Sequence, residues 1–317
     1  MAQARWQTQG DVLVKVALVS HDAGGAEVVS SYVRQHGLEC VCAVSGPALQ
    51  IFEQKLGAIA QLSLDEAITQ CDWLLCGTSW QSDVEWRAIE LARVFGKRSV
   101  AFLDHWTNYP ERFVRGGLVH LPDEIWVGDS IALDMARSTF PNISVVLVPN
   151  PYFIDLKSQL ASIPRHPRRH NGGVDVLFVC EPVSEHALHV NGNERHWGYT
   201  EHEALRYFLS NLQALSAPVH RIVIRPHPAE DPSKYQWVLQ EFNLPIAFGQ
   251  KNHLPEEIMD CDVVVGCSSM AMVVGLLAGK RVLSAIPPGG MACSLPQREI
   301  EHLSLLMDSG DRIEYGR

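Results

Sequence analysis

Two short motifs in the second half of the chain combine residue types that hold a phosphate. Arg225-Pro226-His227-Pro228 closes the apolar run RIVI, and its two prolines keep the chain extended on either side of the histidine. A histidine held so rigidly donates a hydrogen bond to a phosphate or acts as an acid, unless it merely packs within the turn. Further on, VVVG leads into Cys267-Ser268-Ser269-Met270-Ala271, which predicts a strand, a turn and a helix opening on two hydroxyls. Serine hydroxyls beside helix N-terminal amides form a phosphate seat, although Ser269 would serve equally as an ordinary N-cap.

The first half carries a second group of candidates. His21-Asp22-Ala23-Gly24-Gly25-Ala26-Glu27 follows the first apolar run. Gly24 and Gly25 let the backbone approach a ligand, while Asp22 either caps the next helix or works with His21. Neither a G-x-G-x-x-G fingerprint nor a P-loop occurs, so nicotinamide or ATP use has no motif behind it. Cys76-Gly77-Thr78-Ser79 follows another strand, with hydroxyls placed to cap a helix or touch a ligand. Asp104-His105-Trp106 ends a third, and Cys180-Glu181-Pro182-Val183-Ser184 follows the first strand of the second half. His186, His189, His196 and His202 match no standard ligand spacing, so no metal is expected.

These motifs need strands that end at one edge, and the pattern supplies them. Apolar runs at 12–20, 38–44, 73–76, 99–103, 124–127 and 144–148 alternate with helical stretches at 26–36, 48–55, 83–95 and 130–139. The alternation resumes with strands at 174–180, 221–225, 246–248, 262–265 and 281–286. Helices at 201–214, 233–241, 255–259 and 269–278 lie between them. Near-continuous apolar strands separated by helices signal a parallel sheet covered on both faces. Residues 155–173 interrupt the pattern with two prolines, a basic run (RHPRRH) and a Gly-Gly, as a linker would. The expected architecture is α/β, with two Rossmann-like doubly wound domains, 1–155 and 174–317, facing a cleft across a linker at 156–173. Ligands in such sheets bind beyond the carboxyl ends of the strands, where all these motifs lie.

Composition narrows the function further. The chain has 317 residues, 46% of them hydrophobic, which excludes wholesale disorder and a polytopic membrane protein. With 26 Lys and Arg against 36 Asp and Glu, the net charge of −10 disfavours nucleic acid and anionic membrane surfaces. The 17 uncharged residues between Asp262 and Lys280 approach a spanning length, but their Gly-Cys-Ser-Ser break fits a buried strand, turn and helix better. Residues 1–10 are polar and no C-x-x-C occurs among the eight cysteines. Five of these (Cys71, Cys76, Cys180, Cys261, Cys267) lie in or beside apolar runs, so a reducing cytoplasm is the expected setting.

A strand-terminal His-Pro followed by a strand, Ser-Ser and helix, in the second of two Rossmann-like domains, resembles the GT-B glycosyltransferases. More narrowly, it looks like the bacterial sialyltransferases and polysialyltransferases, the capsule transferases and the CDP-glycerol glycerophosphotransferases. The matching residues are His227-Pro228 and Ser268-Ser269. The resemblance implies that these hold the phosphate of a nucleotide-activated donor, CMP- or CDP-linked. It also implies that an acid between the motifs binds the donor ribose, and Glu256 and Glu257 lie in that interval. The sialyltransferase base motif does not occur, since Asp123-Glu124 is followed by Ile125, and Val265-Gly266-Cys267 stands where the glycerophosphotransferases often have Thr-Asp-Tyr.

The expected activity is metal-independent transfer of a sugar or polyol phosphate from this donor to a surface glycan, without a further cofactor. Asp22 or Asp104 would be the base, with His21 and Glu181 next in line. Gly24, Gly25, Thr78, Glu181, Arg225, His227, Glu256, Ser268 and Ser269 would contact substrate. Two alternatives share the fold: a nucleotide-sugar 2-epimerase or hydrolase using His21, Asp22 and Glu181, and a non-catalytic nucleotide-sugar binding protein.

Overall fold

The structure, a computed structural model, describes residues 14–79, 82–164, 172–249 and 253–311. The chain divides into two compact units, Met1–Asp155 and Leu156–Arg317. The first contains β1 (Lys15–Ser20), β2 (Glu39–Val44), β3 (Trp73–Cys76), β4 (Arg98–Leu103), β5 (Val114–Arg115), β6 (Leu118–Val119), β7 (Glu124–Val127) and β8 (Ser144–Leu147). β5 and β6 pair as a small antiparallel hairpin. The other six form a parallel sheet in the order β2-β1-β3-β4-β7-β8. In β1, second in that order, the apolar run Val16, Ala17, Leu18 and Val19 is wholly buried because both faces of the sheet are covered.

The second unit contains β9 (Val174–Val179), β10 (Val219–Arg225), β11 (Ile246–Phe248), β12 (Val263–Gly266), β13 (Arg281–Ser284) and β14 (Ile300–His302). They form a parallel sheet in the order β11-β10-β9-β12-β13-β14. In both sheets the chain builds outward on one side of its first strand, then crosses to the other. The direction reverses between β1 and β3, and again between β9 and β12. Loops at the carboxyl ends of strands flanking such a reversal splay apart and leave room for a ligand. His21-Asp22 and Gly77-Thr78 occupy those loops in one unit, Glu181 and Ser268-Ser269 in the other.

Several elements depart from the sequence expectations. Of residues 156–173, expected as linker, the first seven belong to the helix Pro151–Ser162. Its start is built by Asn150, whose Oδ1 accepts the amides of Tyr152 and Phe153 at 3.0 and 3.2 Å, followed by Pro151 at the first helical position. Buried Leu156 and Leu160, four residues apart, give it one apolar face. The basic run at 165–170 and the start of the first strand, 12–13, lie outside the described residues. The helix expected over 233–241 is a 3-10 turn, Pro232–Tyr235, and a short helix, Val238–Glu241. Residues 262–280 fold as β12, a turn and the helix Met270–Leu277. Among the described residues no helix is long and apolar enough to cross a membrane.

Candidate functional site

In the first unit, the loop after β1 turns directly into the helix Ala23–His36. Asp22 occupies its N-cap position but makes no side-chain cap. Instead its Oδ1 lies 2.8 Å from His21 Nδ1. A carboxylate can only accept, so Nδ1 carries the ring proton and Nε2 the lone pair. The His21 amide donates to Glu85 Oε1 at 2.7 Å. Glu85 sits in the helix Val84–Val94, is 2% exposed, and its Oε2 is buried without a partner. Burial, opposed by two backbone amides, pushes its carboxyl up to about 7.

Asp104, at the end of β4, accepts from Arg112 Nη1 at 2.9 Å. The same Nη1 reaches the Thr78 carbonyl at 2.8 Å and Thr78 Oγ1 at 2.7 Å. The Thr78 hydroxyl is therefore held by an arginine and does not cap a helix, because that helix starts five residues after Ser79. Gly25 and Gly77 pack backbone against backbone: a Cβ on Gly25 would stand 3.0 Å from the Gly77 Cα, tighter than ordinary contact. The sequence reading thus collects His21, Asp22, Gly24, Gly25, Thr78 and Asp104 on one sheet edge, but misses Glu85 and Arg112, which tie them together. Glu85 lies within a helix and Arg112 in the 3-10 turn Glu111–Phe113, neither directly at the end of a strand.

In the second unit, the motif residues line up along the carboxyl edge. β10 and β12 flank β9, so the loops carrying His227 and Ser268 leave the sheet two strand spacings apart, about 10 Å. The His227 turn is anchored from beneath. Its amide donates to Glu230 Oε2 at 2.9 Å, and its Nδ1 accepts the Ala229 amide at 3.2 Å. With Nδ1 accepting, the ring proton sits on Nε2, the reverse of His21. Glu230 also accepts from the Tyr235 hydroxyl at 2.9 Å and from Lys234 Nζ at 2.7 Å. Lys234 bridges onward to Glu185 at 2.9 Å and Glu201 at 2.6 Å. Burial raises the Glu201 carboxyl, but Lys234 and the Ser184 amide and hydroxyl outweigh it and hold the group below its ordinary range.

Glu185, Glu201 and Glu230 are the one grouping with metal-ligand spacing among the described residues, and the Lys234 ammonium already bridges all three. His202, considered above as a ligand, accepts the Trp237 indole N–H at 2.9 Å. The Asp-x-Asp triad Asp260-Cys261-Asp262 precedes β12, at the opposite edge of the sheet, where Asp262 accepts the Asp175 amide at 3.0 Å.

Ser269 caps the helix Met270–Leu277 by accepting the Ala271 amide at 3.1 Å, and Ser268 Oγ accepts the Ser294 amide at 3.2 Å. Each hydroxyl proton remains a potential donor. The preceding amides are engaged by the side chain of Glu181: its Oε1 accepts Cys267 N–H at 2.8 Å and Ser268 N–H at 2.9 Å. Glu181 therefore reaches across the reversal point from β9 to β12. Arg225 Nη1 pairs with buried Glu257 at 2.6 Å, whereas Glu256, the acid expected to meet a ribose, is exposed.

No protein-family model matches the sequence, and no curated protein does. Solved structures match in fold. A putative UDP-N-acetylglucosamine 2-epimerase from Listeria monocytogenes is 10% identical, with 96% of this chain and 89% of that one covered and a TM-score of 0.61. HepE from Anabaena, in complex with UDP, is 12% identical over 95% and 91% of the two chains, with a TM-score of 0.57. UDP-GlcNAc 2-epimerase from Neisseria meningitidis, bound to UDP-GlcNAc, is 14% identical over 95% and 92%, with a TM-score of 0.54. The fold is GT-B-like α/β, with a six-stranded parallel sheet in each unit.

Proposed function

We propose that the chain is a metal-independent transferase acting on a nucleotide-activated donor, which moves a sugar or polyol phosphate to a glycan hydroxyl. The observation that carries the reading is the His227 turn, aligned with the Ser268-Ser269 helix start on one sheet edge. An imidazole with its proton on Nε2 and two serine O–H groups are donors suited to a phosphate oxygen. In a single displacement they would neutralise charge growing on the leaving phosphate. The first unit would supply the base: Nε2 of His21, oriented by Asp22, or the Asp104 carboxylate. No cofactor beyond the donor is called for. The UDP and UDP-GlcNAc bound by structures of similar fold support a nucleotide-linked donor, whose base and sugar this reading leaves open.

Calorimetry with nucleoside monophosphates and the matching free nucleosides tests the phosphate assignment. His227→Ala and Ser268/Ser269→Ala should weaken monophosphate binding by about 1–3 kcal/mol for each charge-assisted hydrogen bond lost, and leave the nucleoside unaffected. Monophosphate binding that is indifferent to both variants would remove the reading's support. A second reading, conversion of the donor sugar itself, is favoured by the fold similarity to the 2-epimerases. Donor consumed without any acceptor would decide for it.

A further inference from the structure

The amides that precede the Ser268-Ser269 helix are engaged. Glu181 Oε1 accepts from Cys267 and Ser268, and its Oε2 lies 3.1 Å from the same Ser268 nitrogen. A carboxylate placed on two consecutive backbone amides of the turn that leads into this helix makes the contacts a phosphate would make there, with the same sign of charge. Any anion arriving at this point meets an occupied seat and a resident negative charge.

We infer that Glu181 is a specificity-determining gate: its carboxylate competes with incoming anions for the Cys267 and Ser268 amides. Small anions are thereby excluded, and only a ligand held by further contacts, as a nucleotide would be, takes the seat. The inference rests on the proposed donor site and concerns what that site refuses. The physical logic is one of competition. An anion with few other contacts cannot repay the displacement of a hydrogen-bonded carboxylate, whereas a nucleotide adds its base, ribose and His227 contacts.

Glu181 is also partly shielded from water, and burial raises its carboxyl above the ordinary range against the pull of the Ser268, Cys267 and Ser269 amides. Protonation removes the competing charge, so the gate weakens as pH falls. The titratable groups facing it are Glu230, Cys180, Cys267 and Tyr199, with His227 on the neighbouring turn. Of these, His227 would itself attract anions at low pH, and the test must separate its effect.

Inorganic sulfate is a suitable probe, because its charge stays constant across the pH range used. With the full chain, sulfate binding is followed by calorimetry and by the amide resonances of Cys267 and Ser268. At pH 7.5 Glu181→Gln should bind sulfate at least about tenfold more tightly than the parent, corresponding to ~1.4 kcal/mol, with shifts at both amides. In a His227→Ala background, affinity should rise as pH falls when Glu181 is present and stay flat in Glu181→Gln. If Glu181→Gln fails to fold, the pH dependence in His227→Ala alone carries the test. Equal sulfate affinity with and without Glu181, or no pH dependence in His227→Ala, would overturn the gate and leave Glu181 as a structural cap. The two readings fail separately. Nucleotide binding that depends on His227, with sulfate blind to Glu181, sinks the gate alone. Sulfate strengthened by Glu181→Gln, with no nucleotide binding to either protein, upholds the gate and sinks the donor reading.

Discussion

Asp104 lies against Gly24: a Cβ at position 24 would collide with the Asp104 Oδ2. The first turn of the helix Ala23–His36 and the end of β4 therefore meet at a contact too close for a Cβ unless the Asp104 carboxylate moves. Through Asp104 the contact extends to Arg112 and Thr78.

Gly24→Ala should accordingly push the Asp104 carboxylate off its seat, and overpacking of this kind costs about 1–3 kcal/mol. The penalty should largely vanish in an Asp104→Ala background, where the colliding atoms are gone. A double-mutant cycle by thermal unfolding reads this directly. Additive losses would mean that the two residues do not meet.

Glu85 provides a prediction with a definite pH sign. Its folded carboxyl titrates at about 7, against the ordinary value of 4.5, because burial disfavours the charged form. The folded state then holds the proton more tightly than the unfolded chain. Stability on this account is complete below about 4.5, falls as pH rises to about 7, and stays lowered above it. The difference is on the order of 3 kcal/mol. Glu85→Gln, neutral at every pH, should lack this fall and be the more stable protein at pH 8. Parallel stability profiles for the two proteins between pH 4 and 8 would contradict the assignment.

The strands were legible because a doubly covered parallel sheet writes itself as unbroken apolar runs, as in Val16–Val19 and Val263–Val265. β14 was not, since its three residues, Ile300-Glu301-His302, form a short edge strand with no such run. The helix Leu64–Gln70 also went unread, although Ser63 and Glu66 form a capping box at its start. Candidate site residues at strand ends could be named because sheet topology opens the ligand-accessible loops there. The residues that position them could not. Arg112 and Glu85 act through Thr78 and His21, 34 and 64 positions away in sequence, which no local pattern encodes, and Lys234 joins its i−4 neighbour Glu230 to the distant Glu185 and Glu201.

Lys234 neutralises Glu201 and Glu230, both buried, together with the exposed Glu185. Lys234→Met would leave buried carboxylates without a counter-charge, which costs about 3–5 kcal/mol. Glu201 is held below its ordinary range, so its favourable contribution is present at neutral pH and lost as pH falls. The variant should therefore be most damaged near pH 7 and approach the parent at lower pH, as the acids protonate. The loss should also loosen the His227 turn through Glu230, seen as weaker nucleotide binding at temperatures where the variant is folded. Equal destabilisation at pH 7 and pH 4 would argue against a charge-compensating role.

The base of the proposed transfer can be argued from the partners of the two candidate acids. Asp104 is tied to a buried guanidinium, and a proton taken there leaves Arg112 beside a neutral acid. Asp22 instead holds His21 by Nδ1, which directs the lone pair to Nε2, the arrangement of a histidine base with an orienting carboxylate. Asp22→Asn and His21→Ala should each lower turnover by about 10²–10⁴ while donor affinity and thermal stability change little. Asp104→Asn should lower turnover too, but with a fall in stability, because it strips a buried arginine of its ion pair. Turnover, calorimetric donor affinity and unfolding temperature, measured together on the three variants, separate these effects. Near-normal turnover in Asp22→Asn and His21→Ala, with a loss confined to Asp104→Asn at unchanged stability, would move the base to Asp104.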